Sequence, residues 1–220
     1  MAQHYGPKVV TDGLVLCLDA ADKKSHPGSG TTWYDLSNGL GDSSYLNSPT
    51  FQDNGSLSSV YFDGSDDNVS IPGSLNATAG TISIWLKATS WAENDILFKA
   101  MGGSTNRWYI RQSGATWEYG ICRGNPGTYK SVGSIYSGVW GNITMSYYTS
   151  NILGYLNGTL TTSDTFTDPG TAGGTIRLGG YHTTANLWPG YIALVLIYNK
   201  ALSSAEVLQN FNAQRGRFGV

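Results

Sequence analysis

Apolar residues in this chain recur at every second position in short runs, and Gly, Asn and Ser separate the runs. A two-residue period belongs to a β-strand with one buried face, whereas a helix would repeat near 3.6. Leu14, Leu16 and Leu18 face one way from Val15 and Cys17, and Ile82, Ile84 and Leu86 oppose Ser83, Trp85 and Lys87. Trp108 and Ile110 oppose Tyr109 and Arg111, and the segment from Trp117 to Ile121 can return beside them through a Ser113-Gly114 turn. Ile143, Met145 and Tyr147 lead to a turn at Ser150-Asn151, after which Ile152, Gly154 and Leu156 run to Asn157-Gly158. Asn-Gly suits a type I′ turn because both central residues need positive φ. Ile176 and Leu178 mark a further strand, ended by Gly179-Gly180. The expected unit throughout is the antiparallel hairpin.

Two segments break the alternation. Tyr191 to Tyr198 is apolar on both faces, which predicts a strand covered on both sides. The chain from Ser203 carries a capping box with Glu206, an apolar stripe of Val207, Leu208 and Phe211, and Gly216 as a stop, so it is the one expected helix. The Gly-, Ser- and Asn-rich stretch from Asp22 to Leu57 reads as long loops packed down by Trp33, Tyr34, Leu36, Tyr45 and Phe51. No repeat or linker divides the 220 residues. The reading is a single all-β domain over residues 1–220: a two-sheet antiparallel jelly-roll sandwich with one short C-terminal helix.

Charge narrows the partners. Thirteen Lys and Arg against fifteen Asp and Glu leave a formal charge of −2, without the basic footprint that nucleic acid or an anionic membrane requires. Residues 1–7 have no basic segment leading into an apolar run, so synthesis in a cytosol without a secretory signal is expected. Cys17 and Cys122 are read as buried free thiols rather than a disulfide.

Five strings occur in a set order: Gly13-Leu14-Val15-Leu16-Cys17-Leu18-Asp19-Ala20, Thr31-Thr32-Trp33-Tyr34-Asp35-Leu36-Ser37, Phe62-Asp63-Gly64-Ser65-Asp66-Asp67, Gly154-Tyr155-Leu156-Asn157-Gly158 and Gly190-Tyr191-Ile192-Ala193. Together they resemble the laminin-G-like branch of the concanavalin A-like lectin/glucanase superfamily. Gly6 to Leu14, Tyr198 to Ser203 and Gly216 to Gly219 further resemble stand-alone copies from virions of tailed phages of aquatic bacteria and cyanobacteria. That resemblance implies a virion structural protein, a head decoration or tail-fibre component, folded in the host cytoplasm. Its implied partners are other virion proteins, further copies of itself and cell-surface glycans. A soluble carbohydrate-binding module is the alternative.

The glucanase branch would place Glu-x-Asp-x-x-Glu on one strand to flank a glycosidic bond. Here Glu93-Asn94-Asp95 is followed by Phe98 where the last acid belongs, and the chain holds only two other Glu, Glu118 and Glu206. His4, His26 and His182 fall in loop-like sequence outside any catalytic motif. The chain is therefore expected not to be an enzyme.

Glycan binding needs an aromatic plate and planar polar groups. Trp91 beside Glu93, Asn94 and Asp95, Trp117 near Arg107 and Arg111, and the pair Tyr181-His182 next to Asn186 supply candidates, while Trp85, Trp108, Trp140 and Trp188 read as core. Asp63, Asp66 and Asp67 cluster hard oxygen ligands of the kind Ca²⁺ accepts; capping of turns by their side chains is the simpler and preferred reading. No other cofactor is expected. Relatives often carry polar residues where this chain has Leu194 and Leu196, so that strand face needs cover, either from the C-terminal helix or from a second subunit.

Overall fold

The computed structural model describes residues 7–75, 78–90, 96–102, 106–113, 118–123, 130–165, 176–180 and 187–220; of 96–102, 106–108 and 118–123 the backbone alone is described. Among the described residues, sixteen strands and one α-helix follow one another: β1 (Leu14–Asp19), β2 (Thr32–Trp33), β3 (Ser43–Leu46), β4 (Thr50–Gln52), β5 (Ser59–Asp63), β6 (Asn68–Ile71), β7 (Ala79–Ala88), β8 (Ile96–Gly102), β9 (Asn106–Ser113), β10 (Glu118–Arg123), β11 (Lys130–Ser134), β12 (Gly141–Tyr148), β13 (Asn151–Leu156), β14 (Thr159–Thr165), β15 (Ile176–Leu178), β16 (Pro189–Tyr198) and α1 (Ser204–Phe218). They form two antiparallel sheets. Sheet A runs β14-β13-β12-β7-β16-β5-β4, with β1 also beside β16; sheet B runs β11-β10-β9-β8-β15-β6-β3-β2. The expected sandwich with one late helix is what the chain forms.

Between the sheets lies the main core. Alternation sends Ile82, Ile84 and Leu86 of β7 and Ile143, Met145 and Tyr147 of β12 inward to meet Val69, Ile71, Ile110, Ile176 and Leu178 of sheet B. Trp33 and Trp188 are fully buried in this layer, and the Trp188 indole N–H donates to Gln112 Oε1 at 2.9 Å. Trp188 and Trp85 are thus structural, as read from their positions.

β1 departs from strict alternation. A register shift between Leu14 and Leu16 lets Val15 join Leu16 and Leu18 against the main core, while Leu14 and Cys17 face the helix side. Cys17 is a free thiol, and burial, helped by Asp19, Asp35 and Asp22 nearby, pushes it up to about 12. Cys122 lies where side chains are outside the described residues. The stretch from Asp22 to Leu57 is more ordered than loops: it contributes β2, β3 and β4, too short and too broken by Gly to leave a period in the sequence. Asp35 organises its turn by accepting from the amides of Cys17, Ser37, Gly39 and Gly41 and from the Ser37 hydroxyl.

The outer face of sheet A is the second core, and α1 closes it. Ser203 caps the helix with the full reciprocal box to Glu206, a device worth about 1 kcal/mol. Two expectations for the helix change. It runs through Gly216 and ends at Gly219, whose φ of 74° is the left-handed cap, because Phe218 in the last turn packs on Trp85 with ring centroids 4.0 Å apart. Leu208 is exposed, and Asn210, Gln214 and Phe218 complete the buried face with Val207 and Phe211. The predicted Asn157-Gly158 turn has φ of 50° and 75°, and Gly158 also lies so close to Phe211 that an added Cβ would stand 2.8 Å from its Cβ.

Leu194 and Leu196 answer the question of cover. They are 4% and 2% exposed and pack in one cluster with Val207, Phe211 and Phe218 of α1. The expectation that a second subunit covers this strand face is therefore corrected: the cover is the chain's own helix, and neither leucine offers surface to a partner. A register shift in β16 between Ile192 and Leu194 places Ala193 and Leu194 together on the helix side, which widens the apolar patch.

Leu194→Asp should consequently unfold the domain rather than release a partner. An unpaired buried charge costs at least about 3 kcal/mol, and each kcal/mol is roughly 2–4 °C of Tm in a chain of this size. A circular-dichroism melt lowered by about 10 °C, or the loss of a cooperative transition, is expected; a variant that melts like wild type yet changes oligomeric state would reinstate an interface.

Candidate functional site

With α1 over sheet A, the outer face of sheet B is the large sheet surface that no helix covers among the described residues. Its strand ends gather the positions of interest. Ile96 pairs with Arg111, Ser113 with Glu118, Leu178 with Phe98, and Val69 with Leu178. The start of β8, the end of β9, the start of β10, the end of β15 and the start of β6 thus share one end of sheet B. Positions 91–95, 114–117 and 181–186 adjoin these ends in the chain. Trp91, Asn94, Asp95, Trp117, Tyr181 and His182 themselves lie outside the described residues. Arg107 pairs with Met101, at the opposite end of the β8–β9 hairpin from the Ile96–Arg111 pair.

The acidic turn between β5 and β6 stands at the same end. Asp63, Asp66 and Asp67 each bring a carboxylate oxygen within 4.8 Å of the others. Gly64, at φ of 80°, lets the chain reverse. Asp67 Oδ2 accepts from the Asp63 amide at 2.9 Å, Asp63 Oδ1 accepts from the Ser65 amide at 2.7 Å, and the Asp66 carbonyl accepts from the Asn47 and Asn68 side chains. Three carboxylates so placed are chemically fit for a hard cation such as Ca²⁺, and their hydrogen bonds equally describe turn caps. Burial, with Asp63 and Asp66 adding repulsion against the pull of the Asp63 amide, pushes the Asp67 carboxyl up to about 6.

His26, read from sequence as a loop residue outside any catalytic motif, is a packing residue in the structure. It is buried, its ring stacks on Phe51 at 4.0 Å, and its Nδ1 accepts from the Gly28 amide. Burial lowers its pKa and keeps the imidazole neutral, so it acts as an aromatic packing residue under β2 and β3. Phe51, which stacks on it, and Trp33 and Tyr45, which meet it edge-on or tilted, were legible as packing residues; the histidine among them carried no period.

The position of the missing acid is also informative. Phe98 pairs with Leu178 and Ile110, both in the main core. The register therefore assigns position 98 to an apolar row rather than to the open face.

A raised Asp67 pKa has a definite sign. The folded state holds the proton between about pH 4 and 6, so stability falls as pH rises through that window. Asp67→Asn, which keeps an acceptor for the Asp63 amide, should raise Tm by a few degrees at pH 7.5 in EGTA and lose that gain near pH 4. Melts of wild type in EGTA and in millimolar Ca²⁺ are expected to coincide; a Ca²⁺-dependent rise abolished by Asp66→Asn would make the turn a metal site.

Residues 63–208 match the family model described as the Concanavalin A-like lectin/glucanases superfamily. No curated protein matches the chain in sequence. Among solved structures, domain 4 of AbnA, an extracellular arabinanase from Geobacillus stearothermophilus, in complex with arabinotriose, is similar with a TM-score of 0.73 at 16% identity, covering 90% of this chain and 98% of that one. A mutant of Trypanosoma rangeli sialidase displaying trans-sialidase activity gives 0.75 at 15% identity, covering 95% of this chain and 34% of the sialidase. The binding domain of botulinum neurotoxin serotype D gives 0.69 at 16%, covering 93% and 53% respectively. At such identities the likeness is one of fold.

Proposed function

The chain belongs to the concanavalin A-like lectin/glucanase superfamily, and from that premise we propose that it is a non-enzymatic structural protein of a phage particle, in head decoration or a tail fibre, whose outward surface recognises glycans. The observation that carries the recognition part is the inequality of the two sheets. Sheet A buries its outer face under α1 through Trp85, Leu194 and Leu196, whereas no helix covers the outer face of sheet B among the described residues, and its strand ends adjoin the candidate aromatic segments in the chain.

The similarity to domain 4 of AbnA over 98% of its length supports a binding role, since that domain is described in complex with arabinotriose. Absence of a third acid at Phe98, with that position in an apolar row, supports a non-catalytic reading. The particle setting is supported by the strings at Gly6 to Leu14 and Gly216 to Gly219 that resemble stand-alone virion copies. Attachment by protein contacts would bury roughly 1,200–2,000 Å² in total, and it cannot use Leu194 or Leu196. A soluble carbohydrate-binding module is the second reading, favoured by the matched AbnA domain being one part of a larger extracellular enzyme.

Mass spectrometry of purified particles separates the two. Peptides of this chain are expected to copurify with particles in structural copy number; their absence from particles, with glycan binding retained by the free protein, would establish the module instead.

A further inference from the structure

α1 does not close the whole outer face of sheet A. Its last turn sets Phe218 against Trp85 and Trp140, and two positions beyond Trp85 on β7 stands Lys87. The register carries a row of outward residues away from it. Lys87 is opposite Tyr191 of β16, Tyr191 is opposite Tyr61 of β5, and Tyr61 is opposite Thr50 of β4, the edge strand. The strand neighbours Leu86, Ile192 and Phe62 belong to the main core, so the row itself faces out. Lys87, Tyr191 and Tyr61 are half-buried and Thr50 is exposed, which leaves the row in contact with solvent.

The lysine is positioned without being neutralised. Its Nζ lies 4.5 Å from the ring centroid of Tyr191 and 5.3 Å from that of Trp140. The ion pairs among the described residues join Lys130 to Asp164, Lys200 to Asp12 and Glu206, and Arg217 to Asp19, so Lys87 holds no carboxylate there. A ring face attracts an ammonium but leaves its N–H donors to water or to a ligand. Asp63, the acid two positions past Tyr61 on β5, has its Oδ1 engaged by the Ser65 amide at 2.7 Å. On the other side the Tyr61 ring, 4.9 Å from that of Tyr191 and tilted by 41°, extends the aromatic surface toward β4. There the Gln52 amide donates to the Thr50 hydroxyl at 3.4 Å.

Aromatic rings meet the C–H face of a sugar, planar amides and hydroxyls meet its hydroxyls, and an accessible cation without an acid selects a negative charge. Resting on the glycan-binding reading above, we propose that this row is a subsite for an acidic sugar residue. Its carboxylate or sulfate pairs with Lys87, its ring lies on Tyr61 and Tyr191, and Gln52 and Thr50 meet its hydroxyls. Because the two rings already hold the ammonium in place, binding spares much of the rotamer entropy that a free lysine would lose.

Calorimetric titration of the full chain with an oligogalacturonate, a carrageenan oligosaccharide, a neutral arabino-oligosaccharide and poly-glutamate tests this, using wild type, Lys87→Met, Lys87→Arg and Tyr61→Ala. Wild type should bind an acidic sugar at least about tenfold more tightly than the neutral one, a margin within reach of one charge-assisted hydrogen bond. The tighter acidic arm identifies carboxylate or sulfate, and poly-glutamate should not bind. Lys87→Met should remove that margin, Lys87→Arg should keep most of it, and Tyr61→Ala should weaken the acidic sugar while the domain still melts cooperatively. Acidic binding unchanged in Lys87→Met, or equal affinity for neutral and acidic sugars, would overturn the subsite while leaving glycan recognition standing. So would poly-glutamate binding with the same dependence on Lys87, which would make the row a peptide surface, or loss of folding in both Lys87 variants, which would make the lysine structural. Failure of every sugar to bind would overturn both readings.

Discussion

The packing of α1 on the outer face of sheet A is the contact on which the rest of the structure depends. Trp85 stacks with Phe211 and Phe218, with ring centroids 5.6 and 4.0 Å away and planes within 10° of parallel. Its indole N–H donates to Gln214 Oε1, so the one polar atom of a buried tryptophan is satisfied by the same helix. Asn210 joins Tyr198 and the Val10 amide, and Arg217 grips both oxygens of Asp19, which ties the helix to β16, β1 and the N-terminal segment together. The approach to the helix is fixed too: Thr81 and Ser146 bond the backbone of Lys200 and Leu202 from β7 and β12.

That contact decides which face can work. β16 is central in sheet A and apolar on both sides, so without α1 the strand would expose Leu194, Leu196 and Tyr198. Once it is covered, sheet A has little open face to give, and the outer face of sheet B is the large sheet surface that no helix covers among the described residues. There Arg177 stands between Ile176 and Leu178 on the side away from the core, and the acidic turn of Asp63, Asp66 and Asp67 borders one end of the sheet.

Much of this was legible because it is local. The capping box at Ser203 and Glu206, the Asn157-Gly158 turn and the two-sided strand at Tyr191 to Tyr198 each depend on residues near one another in sequence, and each is present. What escaped depends on packing between distant segments. Gly216 reads as a helix stop, but Phe218 reaching Trp85 extends the helix to Gly219. Leu208 reads as core, but the helix rotates so that Asn210 and Gln214 meet Tyr198 and Trp85 instead. The bulges in β1 and β16 shift side chains by one position, which no period reveals. Arg177 has no motif; only the fold discloses that an arginine in a three-residue strand has its Nε and Nη1 buried without a hydrogen-bond partner. Of the candidate site, the aspartate cluster was visible as a string, whereas the convergence of the strand ends on it follows from a sheet order that sequence cannot specify.

Native-state hydrogen exchange tests the central claim most directly, because amides that open only by global unfolding share one free energy. If α1 is an integral wall of the second core, the amides of Val207 to Gln214 should exchange at the rate of those in β7 and β16, and mild denaturant should merge all three into one opening. Exchange of the helix at a much lower free energy, with β7 and β16 still protected, would make α1 a detachable cover and leave the outer face of sheet A as the surface to explain.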